Sequence, residues 1–150
     1  MRHNPYKIVK MFEETVADYT GAPYAISVNN CTNALLLCCE FKDYKWKGIY
    51  QLEPYPIYDA AKRFTSGMYI PGAYMCLSFH IKKHLKIGKG GMILTDDENA
   101  SKWLKKGRYE GRGEVMYYED NIEINGWNAY MTPEQAARGL MLMQNYPEHN

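Results

Sequence analysis

We expect the chain to fold around the stretch Ser78-Phe79-His80-Ile81-Lys82-Lys83-His84-Leu85-Lys86-Ile87-Gly88-Lys89-Gly90-Gly91. Short apolar runs flank it at 73–77 and 92–94, and each run is long enough for a buried strand but too short for a helix. Between them lies a basic loop that contains four lysines and ends in three glycines. Glycine lets a backbone come close to a ligand, and crowded lysines need water or an anion beside them. The pattern therefore indicates two strands joined by a loop suited to an anion.

Length and charge limit the classes of protein to which the chain can belong. It has 150 residues, the usual size of one domain, and a formal net charge of +1. Such a charge argues against a general nucleic-acid or membrane-surface role, and it leaves nucleic-acid binding by the lysine loop as a weak alternative. The longest apolar run, residues 34–39, is far too short to cross a bilayer. Because no long apolar core follows the first basic residues, we also expect no signal peptide.

The cysteines are typical of a reduced, cytoplasmic protein. They are Cys31, Cys38, Cys39 and Cys76, and no two of them form a CxxC pair. We therefore expect buried thiols in a cytoplasmic protein, with neither a disulfide framework nor a zinc site. The two histidines of the lysine loop lack the surrounding ligands that a metal needs, so we expect no metal there.

Apolar periodicity and end signals predict the other elements. A first helix begins at Asn4-Pro5 and ends at Gly21, and a strand covers 24–28. The next helix, about 34–41, is apolar on all sides and should be buried, with Thr32 or Asn33 as its N-cap. The unsatisfied amides of its first turn could hold a phosphate, although an ordinary cap explains the same residues.

The second half of the chain continues with strands and helices of the same kind. A strand at 92–95 leads to a helix that starts at Asp96-Asp97 and buries positions 100, 103, 104 and 107. Thr132 and Gln135 form a capping box for a last helix. Its predicted packing face contains Ala136, Ala137, Leu140 and Met141. Segments 42–54, 63–72 and 108–125 have no clear period and are interpreted as loops.

The lysine loop resembles a known family. Its pattern Ser-Phe-x-x-x-Lys followed by Gly-x-Gly-Gly is similar to the Schiff-base loop of the DegT/DnrJ/EryC1/StrS aminotransferases. These are pyridoxal-phosphate enzymes, many of which act on nucleotide-linked keto sugars. The resemblance implies that Ser78 binds the cofactor phosphate and that Lys83 carries the cofactor as an internal aldimine.

Two further motifs extend the resemblance. Residues 30–35, Asn-Cys-Thr-Asn-Ala-Leu, resemble the family's Ser-Gly-Thr-x-Ala-Leu phosphate turn, which implies that Cys31, Thr32 and Asn33 contribute to cofactor binding and that Cys31 replaces a glycine. Residues 55–61 resemble its strand ending in Glu-Asp-Ala-Ala-Gln, which makes Asp59 the partner of the pyridinium nitrogen. Lys62 then stands where the family often has Gln or His beside the ring hydroxyl. Without the family, Asp59 could simply cap a short helix that follows it.

A last motif lies before the final helix. Residues 126–137 resemble the family's Gly-Tyr-Asn-Tyr-Arg-x-Ser-Glu-x-Gln-Ala-Ala, with Tyr130 in place of the arginine. The resemblance implies that Asn128 reaches the cofactor phosphate of a partner subunit, so that a homodimer shares its active sites. The residues alone are equally consistent with a turn residue before a helix.

Together these features predict an α/β fold: a single domain, 1–150, formed by a truncated large domain of the PLP-dependent aspartate-aminotransferase-like fold, with a mostly parallel sheet and flanking helices. The family's small C-terminal domain and most of the segment with its ring-stacking aromatic residue have no counterpart here, although Tyr44, Trp46 or Tyr50 could substitute. The implied function is a pyridoxal 5'-phosphate-dependent aminotransferase that moves an amino group from an amino acid to a keto sugar, without nucleic-acid or membrane partners. The alternative is a non-catalytic remnant that binds the cofactor or a full-length partner subunit.

Overall fold

The structure is a computed structural model that describes residues 4–44 and 56–148. The elements in these residues are α1 (Pro5–Thr20), β1 (Tyr24–Val28), α2 (Cys31–Lys42), β2 (Ile57–Asp59), β3 (Tyr74–Ser78), β4 (Gly91–Thr95), α3 (Glu98–Gly107), a 3-10 turn (Tyr117–Glu119) and α4 (Pro133–Met143). The predicted strands and helices are thus present with small changes at their ends. Trp46 and Tyr50, like most of the predicted 42–54 loop, lie outside the described residues.

The ends of the helices follow from local chemistry, with one correction. The Asn4 side chain accepts a hydrogen bond from the Tyr6 amide, and Gly21 ends α1 in the left-handed region at φ 81°. For α2 the predicted N-cap was wrong, because the cap is Asn30, whose side chain accepts a hydrogen bond from the Asn33 amide. The helix therefore starts at Cys31 and brings the whole predicted phosphate turn into its first turn.

The four strands form one sheet in the order β1-β4-β3-β2. β2 pairs with β3 in parallel, whereas β4 is antiparallel to both β1 and β3. Among the described strands, β1, β2 and β3 therefore run in the same direction, as a mostly parallel sheet requires, and β4 is the exception. The physical reason is the connection from β3 to β4, a loop at 79–90 that folds back on itself without the crossover helix that a parallel neighbour needs.

Helices cover both faces of the sheet, so the protein has three layers. Alternate residues of β3 and β4 point to opposite faces, as the period of a strand requires. One core contains side chains from the inner face of α1, from Met75 and Leu77 of β3, and from Met92 and Leu94 of β4. The other contains Cys76 and Ile93 together with the apolar side chains of α2 and α3. Burial of α2, predicted from its composition, is confirmed.

The contact between α1 and α4 differs from the prediction. Met141, placed on the packing face of α4 by the sequence, is 58% exposed. Ala136 is buried and Leu140 packs against the core, as predicted. Gly139, which was not predicted, is also buried, and a Cβ added to it would lie 2.5 Å from Cε1 of Phe12. The missing side chain therefore lets the two helices approach each other.

A buried ion pair, which the sequence did not reveal, ties α1 to β1. The guanidinium of Arg108 lies against the Glu13 carboxylate, and both side chains are 7% exposed. Arg108 also donates to the Ser27 carbonyl oxygen at 2.8 Å, and the Ser27 amide donates to Glu13 at 2.7 Å. The network fixes β1 between α1, which contains Glu13, and the end of α3, which Arg108 caps. The turn after β1 therefore has a defined position.

Three of the four cysteines are buried free thiols, as predicted. The fourth, Cys31, is also a free thiol but is not fully buried. Cys38, Cys39 and Cys76 are buried, with the sulfur atoms of Cys38 and Cys76 3.9 Å apart. Cys31 is only partly buried, because it begins α2 at the edge of the sheet.

Candidate active site

Five of the eight predicted site residues meet at one edge of the sheet. β1, β2 and β3 run in the same direction and β4 runs in the opposite direction. The carboxyl ends of the first three strands and the amino end of β4 therefore lie at the same edge. In open α/β sheets this is the edge where ligands bind. The turn before α2, Asp59, Ser78 and Gly91 are all placed here by strand direction alone.

A cavity of about 300 Å³ opens at this edge. It is lined by Asn30, Cys31, Thr32, Leu35, Asp59, Ala61, Ser78, His80, Lys83, Lys89 and Gly90. Of the eight predicted site residues, the structure thus brings Cys31, Thr32, Asp59, Ser78 and Lys83 to one cavity. An amine, a carboxylate, a hydroxyl and a helix N-terminus share one space, although they come from three separate parts of the chain.

The N-terminus of α2 forms one wall of the cavity. The Asn33 amide is satisfied by the Asn30 side chain at 2.7 Å, and the Asn33 side chain donates to Asn29 at 2.8 Å. Asn33 therefore maintains the turn and does not line the cavity, unlike Cys31 and Thr32. First-turn amides carry a partial positive charge, which makes this wall suitable for a phosphate.

Gly91 allows the helix end to come this close to the sheet. A Cβ at this position would lie 2.7 Å from the carbonyl carbon of Asn30 and 2.9 Å from the Cys31 nitrogen. Both are backbone atoms, which cannot rotate away as the end of a side chain can. Close packing against the start of α2 therefore requires glycine at position 91. The close backbone approach that the glycine-rich pattern predicted is present here.

Asp59 ends β2 and lines the cavity from the opposite side. Its Oδ1 accepts a hydrogen bond from the Ala61 amide at 3.1 Å and lies 3.8 Å from the Cys31 sulfur. A turn at Ala61 and Lys62 follows, so the alternative in which Asp59 caps a helix is wrong. Lys62 is exposed and does not line the cavity.

Lys83 is held in a loop that is anchored to the core. The Phe79 amide donates to the Gly90 carbonyl oxygen at 2.9 Å, which closes the loop at its base. Leu85 and Ile87 are buried, and each such burial stabilises the folded loop by about 1.5–3 kcal/mol. The Lys83 amide donates to the His80 carbonyl oxygen at 2.8 Å, so the backbone that carries the amine is itself in a turn.

Arg138 of α4 holds the same loop from outside. Its Nε donates to the Ile87 carbonyl oxygen at 2.9 Å, and its Nη2 lies 3.4 Å from the Lys86 carbonyl oxygen. The last helix therefore supports the lysine loop through the hydrogen bond between the Arg138 side chain and the Ile87 carbonyl oxygen, two residues that are distant in sequence.

Asn128 lies outside the cavity. It is exposed, and its side-chain amide donates to Glu110 at 3.3 Å. The neighbouring Ala129 carbonyl oxygen accepts a hydrogen bond from the Asn29 amide at 2.9 Å, which places the segment beside the turn after β1. An exposed position is what a contact with a partner subunit requires, and that contact stays a prediction.

Two charged groups in the cavity, Asp59 and Lys83, influence the pKa of the Cys31 thiol. Burial and the nearby Asp59 carboxylate raise the pKa of the Cys31 thiol to about 12, whereas Lys83 acts in the opposite direction. The thiol is therefore protonated at neutral pH. The Cys31 sulfur lies 3.8 Å from Oδ1 of Asp59, and Lys83 lines the same cavity.

Besides Asn30, which caps α2, two polar residues that line the cavity were not predicted, His80 and Lys89. Both lie in the lysine loop. Their positions, His80 two residues after Ser78 and Lys89 next to Gly90, could have identified them as lining residues. Tyr44, a candidate for ring stacking, instead packs against the core between α2 and the sheet.

The fold and this arrangement define an α/β protein of the large-domain type found in pyridoxal-phosphate transferases. The sequence profile of the DegT/DnrJ/EryC1/StrS aminotransferase family matches residues 2–48 and 67–150. The chain belongs to this family. Asp59 lies between the two matched ranges, so its role rests on the geometry of the cavity and on the local motif. The sequence matched none of the curated proteins with which it was compared.

Solved structures with the same fold include several aminotransferases. A DegT DnrJ EryC1 StrS aminotransferase from Brucella abortus has a TM-score of 0.72 at 18% identity and covers 91% of this chain. PseC from Helicobacter pylori, an aminotransferase involved in the biosynthesis of pseudoaminic acid, has a TM-score of 0.67 at 17% identity and covers 93%. DesV from S. venezuelae, in complex with a ketimine intermediate, has a TM-score of 0.72 at 17% identity and covers 91%. This chain spans only 58%, 58% and 56% of those three proteins, respectively.

Two searches of the described residues concern other classes of site. No helix within 4–44 and 56–148 has both the length and the apolar character needed to cross a membrane. In the same two ranges, no group of three or more His, Cys, Asp and Glu side chains is arranged around a possible metal ion.

Proposed function

We propose that the chain binds pyridoxal 5'-phosphate in this cavity and contributes the catalytic residues of an aminotransferase. The observation that carries the proposal is that Lys83 and Asp59 line the same cavity as the N-terminus of α2. Membership of an aminotransferase family supports it, since the aminotransferases of that family depend on this cofactor.

The chemistry of the lining residues fits the cofactor. A helix N-terminus and the Ser78 hydroxyl are donors for a phosphate, Asp59 is an acceptor for a protonated ring nitrogen, and Lys83 is a free amine for an aldehyde. Within the described residues the Lys83 amine has no hydrogen-bond or ion-pair partner. When bound, pyridoxal phosphate supplies an electron-poor ring that stabilises negative charge on a substrate carbon.

Each residue then has a defined task. Asp59 keeps the ring nitrogen protonated, and Ser78, Thr32 and the first-turn amides of α2 orient the phosphate. Lys83 would hold the cofactor at rest, and its amine, once released, would move a proton from the α-carbon of the amino donor to the cofactor. In the second half-reaction the same amine would move a proton from the cofactor to the carbon of the acceptor. Leu85, Ile87 and Arg138 keep this amine at one place.

We extend the proposal to a nucleotide-linked keto sugar as the amino acceptor and to a homodimer with shared active sites. The sugar is supported by the family and by the involvement of PseC in pseudoaminic acid biosynthesis. The dimer is supported by the exposed side chain of Asn128, which leaves it accessible to a second subunit. A cytoplasmic location agrees with the free thiols.

The test is the absorbance of the purified protein with pyridoxal phosphate, followed by borohydride reduction and peptide mapping. We expect a band in the near-visible range and a reduced label on Lys83. Lys83→Ala should lose both, whereas Lys82→Ala, which removes an exposed neighbouring amine, should keep both. Absence of the band in the wild type, or a label distributed over several lysines, would contradict the proposal.

A second measurement separates the enzyme from the non-catalytic alternative. If unreduced protein loaded with pyridoxal phosphate converts its bound cofactor to the amine form when an amino donor is added, it catalyses the first half-reaction. If Lys83 is labelled but no amino acid changes the spectrum, the chain binds the cofactor without turnover, as the alternative predicts. Because the chain spans less than two thirds of the solved relatives, this measurement is needed in addition to binding.

A further inference from the structure

The Cys31 thiol has an unusual position at the base of the cavity. Its sulfur lies 3.8 Å from Oδ1 of Asp59 and 3.5 Å from the carbonyl oxygen of Cys76. The Cys76 carbonyl oxygen already accepts a hydrogen bond from the Ala60 amide at 2.8 Å. A thiol donates one proton. The Cys76 carbonyl oxygen is nearer, but it already has a donor and is uncharged, so the stronger, ionised acceptor Asp59 is favoured.

The two donors to Asp59 meet at the same oxygen. Oδ1 accepts from the Ala61 amide at 3.1 Å and is the atom nearest the Cys31 sulfur. Within the described residues Oδ2 has no hydrogen-bond partner, although Asp59 lines the cavity. The carboxylate is thus oriented by a backbone amide on one side and by the first residue of α2 on the other.

The charges around the thiol keep it in the form that can donate. Asp59 approaches it from β2, Lys83 from the lysine loop, Cys38 from α2 itself and Cys76 from β3. Burial and the Asp59 charge raise the pKa of Cys31 to about 12, so the proton stays on the sulfur at neutral pH. The family turn that this segment resembles has glycine here, which carries no donor.

We propose that Cys31 is a positioning residue that donates a hydrogen bond to Oδ1 of Asp59 and so reserves Oδ2 as the acceptor for the ring nitrogen of the cofactor. The proposal rests on the proposed function, because Asp59 has a ring nitrogen to meet only if pyridoxal phosphate binds here. It predicts that the donor in position 31, and not the bulk of the side chain, matters for cofactor binding.

The first test uses the cofactor-free protein. The rate at which iodoacetamide alkylates Cys31 is measured against pH for the wild type and for Asp59→Asn, with the modified residue identified by peptide mass. The substitution removes the negative charge and leaves a weaker, neutral acceptor, so the thiol pKa falls and alkylation near neutral pH rises by at least about threefold. Asp18→Asn, which changes an exposed acid of α1, should leave the rate unchanged. An equal rate in the wild type and Asp59→Asn overturns the proposal.

The second test compares Cys31→Ser and Cys31→Ala after loading with pyridoxal phosphate. We expect Cys31→Ala to weaken cofactor affinity by about three- to tenfold, the effect of losing one modest hydrogen bond, and Cys31→Ser to stay within about twofold of the wild type. Thermal midpoints of the cofactor-free variants should be alike, which separates this effect from a loss of stability. Equal affinity of Cys31→Ala and the wild type overturns the proposal.

The two tests distinguish failure here from failure of the proposed function. If no variant binds pyridoxal phosphate, the proposed function is wrong and the positioning role is wrong with it. If the cofactor binds equally well to every variant at position 31, the proposed function stands and only the role of Cys31 is rejected.

Discussion

The guanidinium of Arg108 shows how one side chain can hold a strand in place. It is almost fully buried and its charge is balanced by Glu13, while its remaining hydrogen bonds go to Ser27. Taking two charges out of water is costly, and the pair is favourable only because each partner has the other and well-placed donors and acceptors. Removing one partner should therefore do far more harm than removing both.

We expect Arg108→Met to lower the free energy of unfolding by about 3–5 kcal/mol, because it leaves the Glu13 carboxylate buried without a counter-charge. Urea denaturation followed by circular dichroism measures the change. The double variant Glu13→Leu with Arg108→Met should recover most of the loss, and Lys105→Met, at an exposed position, should change little. A single variant as stable as the wild type would show that the pair is unimportant.

Among the elements, α3 depends on a titratable cap. Asp97 Oδ1 accepts hydrogen bonds from the amides of Asn99 and Ala100 at 2.9 and 3.1 Å, and the Tyr74 hydroxyl donates to Oδ2 at 2.8 Å. Burial acts to raise the pKa of Asp97, but these hydrogen bonds and the charge of Lys42 outweigh it and lower the pKa below its ordinary value of 3.8. The folded state thus favours the charged form.

A lowered folded pKa gives stability that is present above the unfolded pKa and lost as pH falls through the folded pKa. We therefore expect the wild type to be more stable than Asp97→Ala by about 1 kcal/mol near neutral pH, and the difference to shrink once the pH falls below 3.8. Thermal denaturation over this pH range measures it. Asp97→Asn, which still caps but carries no charge, should show a smaller pH dependence than the wild type. A difference that grows on acidification would contradict the assignment.

The contact between α1 and α4 also reaches the lysine loop. A Cβ at Gly139 would meet the Phe12 ring at 2.5 Å and Cδ1 of Ile87 at 3.0 Å. The Phe12 side chain is fully buried, so it has little room to move away. The helix pair and the loop that carries Lys83 thus share one packing contact.

We expect Gly139→Ala to destabilise the protein by about 1–3 kcal/mol through overpacking, although alanine is the better helix former. The same change should weaken retention of pyridoxal phosphate, since Ile87 anchors the lysine loop. Thermal unfolding and a spectroscopic cofactor titration measure the two effects. Met141→Ala, on the exposed side of the same helix, is the matched control and should alter neither. Unchanged stability of Gly139→Ala would mean that α4 can shift outward freely.

At the scale of the whole molecule, the proposed active site uses surfaces of two subunits. The cavity lies at an open edge of the sheet, and Asn128 lies outside it on the exposed surface. In the proposed dimer, Asn128 of one subunit contributes to the site that contains Lys83 of the other. Such sharing can be tested by complementation between two defective variants.

We expect Asn128→Ala to weaken pyridoxal phosphate binding, and mixing it with Lys83→Ala under conditions of subunit exchange to restore binding in part. In the mixed dimer, the Lys83 of the first variant meets the intact Asn128 of the second. Borohydride labelling of the Asn128→Ala chain, quantified by mass, measures the rescue, and the double variant Lys83→Ala with Asn128→Ala should provide none. No rescue in a mixture shown to exchange subunits would mean that each site is built from one chain.

The local features of this protein were readable from residue order. The lysine loop, the glycines that close it and the capping box of α4 depend on neighbours within a few positions, and the family match on residues 2–48 and 67–150 rests on such motifs. Backbone preferences and capping hydrogen bonds act over short distances along the chain, so a sequence pattern states them directly.

Long-range contacts were not readable in this way. The antiparallel position of β4, the burial of Gly139 against Phe12, and the approach of Cys31 to Asp59 join residues that are distant in the chain. Each depends on how strands pair and helices pack, and on the direction that a side chain takes from its place in an element. A half-buried thiol and a carboxylate become neighbours only because β2 pairs with β3 and α2 begins above their ends.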